Sequence, residues 1–296
     1  MKELVVLSGK GGTGKTSIVG SLAALVRSKV LADCDVDAAD LHLILKPVVQ
    51  ENHEFWSGEV AVIDEEKCTQ CGLCQDVCRF DAISDFKVDS ISCEGCGFCS
   101  HICPVEAITM KESLSGHWFI SDTKYGPLIH ARLGIAQENS GKLVAVVRQQ
   151  AKQIAEKHGL DYIISDGPPG IGCPVISSLS GANTALLVTE PTLSGIHDLE
   201  RVLGMCHHFG VQALVCINKY DINEDNTHQI ESYCFNQGVE VAARISFDNV
   251  VTEAIVQGFP VVEYSQGKVT HEIESLWQRI TLTLGGQKEM TSHANL

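Results

Sequence analysis

Short apolar runs, several of them ending at glycine or a carboxylate, alternate along this chain with longer segments whose apolar positions recur on one face. Residues 4–7, 30–33, 185–188 and 213–217 read as buried strands, and Ile163 with Ile164 marks another. Residues 54–63, 117–120, 127–133, 239–245 and 259–263 are expected to add strands, with a helix between the last two. Helical spacing covers 16–27, 142–158, 195–208 and 271–284. In 142–158, Leu143, Val146, Val147 and Ile154 fall roughly on one face; in 271–284 the stripe is Ile273, Leu276, Trp277, Ile280 and Leu284. This alternation predicts an α/β fold: an open, mostly parallel sheet with helices on both faces. Residues 117–120 and 127–133 are expected to pair with 54–63 as a short stalk around an insertion at 61–112. That leaves 1–60 and 113–296 as the main domain, and the tail after Gly285 is expected to be disordered.

A chain of 296 residues, 44% hydrophobic, has room for one large domain or two. The net charge of −15 excludes a nonspecific DNA binder, which needs a basic face, so no nucleic-acid partner is expected. Met1-Lys2-Glu3 leads directly into the first strand, and no run of about 18 apolar residues exists. A cytoplasmic location is therefore expected. The polar face of the last helix carries Glu272, Glu274 and only Arg279, without the basic enrichment that favours anionic lipid. That helix is expected to pack on the domain rather than serve as a stable membrane anchor.

Three stretches carry candidate nucleotide chemistry. Residues 7–17 read Leu-Ser-Gly-Lys-Gly-Gly-Thr-Gly-Lys-Thr-Ser between a strand and a helix, and Gly9, Gly14, Lys15 and Thr16 fit the phosphate-loop pattern. Glycines, here Gly9, Gly11, Gly12 and Gly14, let backbone N–H groups turn toward an anion, and the helix start adds its positive end. Lys15 is expected to reach the terminal phosphates and Thr16 to reach Mg²⁺, with Lys10, Thr13 and Ser17 completing the loop. Asp33 and Asp35 end the second strand, where the ligand crevice of an open α/β sheet lies. Asp166-Gly-Pro-Pro-Gly170 ends another. Asn218-Lys219-Tyr220-Asp221 ends a third; it also fits the N-K-x-D pattern of guanine readers, so GTP stands as an alternative to ATP.

Thirteen cysteines without an export signal point to metal ligation rather than disulfides. Eight follow two runs, Cys68-x-x-Cys71-x-x-Cys74-x-x-x-Cys78 and Cys93-x-x-Cys96-x-x-Cys99-x-x-x-Cys103-Pro104. The spacing resembles the bacterial two-cluster ferredoxin, where the fourth cysteine of each run ligates the other cluster. Cys68, Cys71, Cys74 and Cys103 are assigned to one [4Fe–4S] cluster, and Cys93, Cys96, Cys99 and Cys78 to the second. Two zinc sites are the alternative, although zinc ribbons do not need the third cysteine of each run. Arg79 stands where a proline often follows the fourth cysteine. Asp81-Ala82-Ile83 and Glu106-Ala107-Ile108 extend the repeat, suggesting a pseudo-symmetric α+β insertion. Cys34, Cys206, Cys216 and Cys234 show no ligand spacing.

With Lys10 early in the loop, Lys-Gly-Gly-Thr-Gly-Lys-Thr resembles the deviant Walker A motif of the MinD/ParA/nitrogenase-iron-protein ATPases, a group that also includes the Mrp-like ATPases. The whole chain resembles the members of that superfamily with an inserted two-cluster ferredoxin. The resemblance implies several roles. Lys10 would cross a dimer interface to a partner's nucleotide, which favours ATP over GTP and a homodimer or a heterodimer with a paralogue. Asp35 would position the attacking water or sense the γ-phosphate, and Lys10, Lys15, Asp35 and Asp166 would be the catalytic set. Asp166 would hold an Mg²⁺-bound water, Gly170 would sense the γ-phosphate, and Asn218 would read the base. Cys173 lies where the nitrogenase iron protein places one ligand of a subunit-bridging cluster, but the second ligand has no counterpart; a small buried thiol is expected there. The implied function is an ATPase whose dimer switch gates low-potential electron transfer to a redox or metallocofactor partner. A cluster-assembly or carrier ATPase, and a MinD/ParA-type positioning ATPase with structural clusters, are the alternatives.

Overall fold

A computed structural model of the chain describes residues 1–134 and 139–292. The elements begin β1 (Lys2–Ser8), α1 (Lys15–Leu25), β2 (Lys29–Asp33), α2 (Leu41–Leu45) and β3 (Val48–Ile63). There follow α3 (Leu73–Asp76), β4 (Ile83–Ser84), β5 (Lys87–Val88), α4 (Phe98–Ile102), β6 (Ile108–Thr123) and β7 (Gly126–Leu133). Next come α5 (Ser140–His158), β8 (Tyr162–Pro169), α6 (Cys173–Leu179), β9 (Thr184–Thr189), α7 (Leu193–His208) and β10 (Gln212–Asn218). The chain closes with α8 (Glu224–Asn236), β11 (Glu240–Ile245), α9 (Asn249–Gln257), α10 (Val261–Tyr264) and α11 (Lys268–Ser292).

Nine strands form one sheet in the order β11-β10-β9-β1-β8-β2-β7-β6-β3. From β11 to β7 neighbouring strands pair in parallel. Their period-two side chains divide between two faces. Leu4, Val6, Leu186, Val188, Leu214 and Cys216 face a core built with α1, α2, α9, α10 and α11. Val5, Leu7, Ala185, Leu187, Val215 and Ile217 face the core of α6, α7 and α8. Both faces being covered explains why these strands read as continuous apolar runs.

Three expectations need correction. Residues 127–133 do not pair with 54–63: β6 lies between β7 and β3, and β7 adds instead to β2, with Leu128 opposite Leu31. The expected strand at 259–263 is helix α10. Pro260 at φ −58° sets up its first turn, and Glu263 and Tyr264 donate their N–H groups to the Pro260 carbonyl. Helix α11 continues past Gly285 to Ser292, where no ordered structure is expected from the sequence; residues 293–296 lie outside the described residues. Its Ile273, Leu276, Ile280 and Leu284 are buried in the first core, and Trp277 meets Tyr162 edge-on at 5.4 Å. No helix among the described residues is long and apolar enough to cross a membrane.

The chain divides into two compact units: Met1–Asn52 with Phe119–Ala131 and Gly141–Leu296, and His53–Trp118 with Arg132–Ser140. Strands β3 and β6, sixteen residues each, run from one unit into the other. Inside the second unit β4 and β5 form an antiparallel pair, and α3 packs on α4. Its halves repeat. Gly72 and Gly97, both left-handed, start α3 and α4. Asp81 and Glu106, also left-handed, donate their N–H groups to the Cys78 and Cys103 carbonyls, each at 3.2 Å.

Candidate functional site

The parallel sheet brings five strand ends together in the first unit. β1 leaves between β9 and β8, so the loop after it rises between them. Asp33 and Asp166 are register partners on β2 and β8. Gly12 and Gly14 hold φ of +80° and +89°, a region that side chains resist, and a Cβ on Gly14 would lie 2.3 Å from Asn218 Nδ2. Gly11 and Gly12 face open space, whereas Gly9 is pressed against Asp198 of α7. Thr16 and Ser17 sit half-buried in the first turn of α1.

Lys15 is buried, and its Nζ lies 2.7 Å from Asp166 Oδ1 and 3.8 Å from Asp35 Oδ2. Burial would lower its pKa, but Asp166, Asp35 and Asp33 together hold it above the ordinary lysine value. Burial pushes Asp35 up to about 6, against the pull of Lys15, and Asp166 adds to the rise. Burial raises Asp33 well above the usual carboxylate range, helped by Asp166. Asp33 accepts the N–H groups of Asp35 and Leu41, so it holds the loop that carries Asp35. Gly170, at φ +92°, donates its N–H to Ser8 O at 2.9 Å, so its amide is engaged within the protein. Asn218 donates from Nδ2 to the Thr13 carbonyl at 2.7 Å and accepts at Oδ1 from Lys219 N–H. The amide nitrogen thus supports the phosphate loop, while its oxygen is held by the next residue of its own segment. Asp221 accepts the Phe247 N–H at 2.7 Å.

Residues absent from the sequence reading complete the site. Lys10 Nζ meets Glu190 Oε1 at 2.6 Å, Ser194 Oγ at 3.0 Å and Thr192 Oγ1 at 3.3 Å. Glu190 Oε2 meets Lys219 Nζ, which also donates to the Gly12 carbonyl, both at 3.2 Å. Burial would raise the Glu190 carboxyl, but the two lysines bring it below its ordinary value. The signal for Glu190 was present: like Asp33 and Asp166, it follows an apolar strand. Thr13 Oγ1 is buried without a hydrogen-bond partner, an orphan that an anion's acceptor oxygens would satisfy. Lysines, inward-turning glycines, the Thr16 hydroxyl and carboxylates on neighbouring strands fit a Mg²⁺–nucleotide.

The second unit contains two cavities walled by thiols. One is lined by Cys93, Cys96, Cys99 and Cys78; the other by Cys68, Cys71, Cys74 and Cys103. The fourth cysteine of each run lines the cavity of the other run. Cys74 and Cys99 are buried in the first turns of α3 and α4, while Cys71 and Cys96 are exposed. The remaining walls are largely apolar, with Ile83, Phe80 and Met110 in one and Ile63, Phe86 and Ile108 in the other. Among the described residues, no three His, Cys, Asp or Glu side chains converge closely enough to hold a single ion. Four thiols spread around a cavity of this kind suit a multi-atom cluster better than one zinc ion.

Outside these cavities, Cys34, Cys206, Cys216 and Cys234 are buried. Burial pushes the Cys206 thiol up to about 12 and that of Cys234 up to about 11. Cys173 is exposed at the start of α6, contrary to the buried thiol expected there. The chain turns sharply after Gly170, and only Val175, Ser178 and Leu179 of α6 point inward.

The family described as the CobQ/CobB/MinD/ParA nucleotide binding domain matches residues 4–261. The chain is 36% identical over 281 residues to the uncharacterized protein MJ0578 of Methanocaldococcus jannaschii, covering 94% of this chain and 96% of that one. It is 22% identical over 290 residues to the septum site-determining protein MinD of Bacillus subtilis, covering 94% and 88%. The solved septum site-determining protein MinD of Pyrococcus horikoshii OT3, complexed with Mg-ADP, shares the fold at a TM-score of 0.56 and 19% identity, over 94% of this chain and 95% of that one.

Proposed function

The chain belongs to the CobQ/CobB/MinD/ParA nucleotide-binding family, and from that premise we propose that it couples an ATP-driven dimer switch to low-potential electron transfer. The observation that carries the proposal is the pair of four-thiol cavities in the same polypeptide as the phosphate loop. Cys68, Cys71, Cys74 and Cys103 would hold one [4Fe–4S] cluster, and Cys78, Cys93, Cys96 and Cys99 the other. Each such cluster would supply one-electron chemistry.

The protein's own groups supply the switch. Lys15, now paired with Asp166, would turn to the terminal phosphates of ATP, and Asp166 and the Thr16 hydroxyl would then hold Mg²⁺ and its waters. Asp35, on the loop that Asp33 holds, orients the attacking water. Gly170 exchanges the Ser8 carbonyl for the γ-phosphate, so nucleotide state is read by the segment after β8. Lys10 reaches the nucleotide of a second subunit, either another copy or a paralogue. The recipient of the electrons is a redox partner or its metal centre.

The named relatives favour a second reading. Those with a stated role are septum site-determining MinD proteins, so a positioning ATPase with structural clusters has the stronger support from comparison. Two features of this chain set it apart from a membrane-positioning device: the apolar stripe of α11 is buried in the core, and the chain is acidic.

Anaerobically purified protein tests both halves of the proposal. About eight irons per chain together with ATP hydrolysis are expected. Iron-free or zinc-loaded protein that still hydrolyses ATP would leave only the ATPase.

A further inference from the structure

We infer that Glu190 is the positioning residue for Lys10: it holds the lysine within its own subunit and sets how readily that lysine passes to the nucleotide of a second copy. The inference rests on the ATP-sandwiched dimer proposed above. An ammonium has three protons, and Glu190 Oε1, Ser194 Oγ and Thr192 Oγ1 take all three from Lys10. The place is otherwise poor for a cation. Thr192 is the N-cap of α7 and Ser194 lies in its first turn, where the helix end is partially positive. The carboxylate is thus the group that keeps the lysine there.

Glu190 can also let go without being stranded. Its second oxygen is bonded to Lys219, which in turn holds the Gly12 carbonyl, so losing Lys10 leaves one charge pair intact. The Lys10 side chain is 31% exposed and that of Glu190 16%, so a phosphate arriving from outside the subunit competes at the open side of the contact. Beside it Leu193 is 75% exposed, an apolar side chain that a docking second copy would cover. A triphosphate with its several negative charges outcompetes one carboxylate already shared with Lys219.

The test is the dimer dissociation constant, measured by sedimentation with a non-hydrolysable ATP analogue and Mg²⁺, for the full chain and for Glu190→Gln, Lys10→Met and the double variant. Glu190→Gln keeps an acceptor for Lys219 but removes the charge that retains Lys10. It is expected to tighten the dimer about tenfold, the scale of one charge-assisted hydrogen bond. The gain should vanish in the Lys10→Met background, which a merely structural role for Glu190 would not produce. Ser194→Ala, on the exposed surface of α7, should shift the constant in the same direction by less. An unchanged or weaker dimer in Glu190→Gln, or an equal gain without Lys10, overturns the assignment while leaving the sandwich intact. No nucleotide-dependent dimer in the unaltered protein overturns the sandwich and this inference together.

Discussion

Replacing Lys15 by methionine is expected to remove nucleotide binding and also to make stability depend on pH in a defined direction. The ammonium is surrounded by Asp166, Asp35 and Asp33, and the side chains of Lys15 and Asp166 are only 7% and 1% exposed. Solvent screening is therefore slight. Breaking a buried pair by removing one partner costs roughly 3–5 kcal/mol, because the remaining charge is left uncompensated. For a chain of this size that lowers Tm by roughly 10 °C.

The cost varies with pH because carboxylates without a counter-charge take up protons. Asp35 already titrates at about 6 in the folded protein, above the ordinary carboxylate value, so its proton favours the folded state at low pH. That favour is lost as pH rises through about 6. Without Lys15, whose charge opposes both rises, the folded-state values of Asp33 and Asp35 rise further. The Tm difference between variant and parent is therefore full at about pH 8 and shrinks at about pH 5.5. Differential scanning fluorimetry at the two pH values measures it. No destabilisation at the higher pH, or a loss that does not shrink at the lower, would refute the role of Lys15 as the counter-charge of this carboxylate group. The visible absorption expected of the proposed clusters should persist in the variant, since Lys15 and the eight cysteines belong to different units.

Cys71→Ser and Cys96→Ser line different cavities, so each should remove about four irons and roughly half of the visible absorption, read by iron assay and spectrum; loss of both centres from either single variant would contradict the division into two ligand sets. Leu276→Ala, at a fully buried position of α11, should cost roughly 2–5 kcal/mol in chemical denaturation, and a neutral effect would mean that α11 does not pack on the domain.

The phosphate loop and the strands carrying Asp33 and Asp166 were legible because parallel strands buried on both faces are written as apolar runs, and the loop's glycines follow one of them; β8 itself continues past Asp166 to Pro169. The two cysteine runs stand out in the sequence by their spacing, and each cavity gathers three cysteines of one run with the fourth of the other. The 259–263 stretch misled because Val261 and Val262 are as apt for a buried helix as for a strand, and only Pro260 signals the turn. Helix α8 escaped notice because it buries only Thr227, Ile230 and Cys234 among polar neighbours. The pairing of β7 with β2 was not readable, since strand order is decided by contacts distant in sequence. The same distance hid the contact of Glu190 with Lys10, though not Glu190's place after an apolar strand: nothing near residue 10 points to residue 190 until the sheet places β9 beside β1.

The account stands most directly on whether nucleotide and electron chemistry are linked, and one experiment addresses that: a redox titration followed by electron paramagnetic resonance, on anaerobically purified protein with and without Mg-ATP. Two low-potential one-electron centres are predicted, with at least one midpoint falling by tens of millivolts when Mg-ATP is present; ~59 mV corresponds to a tenfold change for one electron. Midpoints that do not move with nucleotide would contradict the coupling and leave a MinD-type ATPase with structural centres.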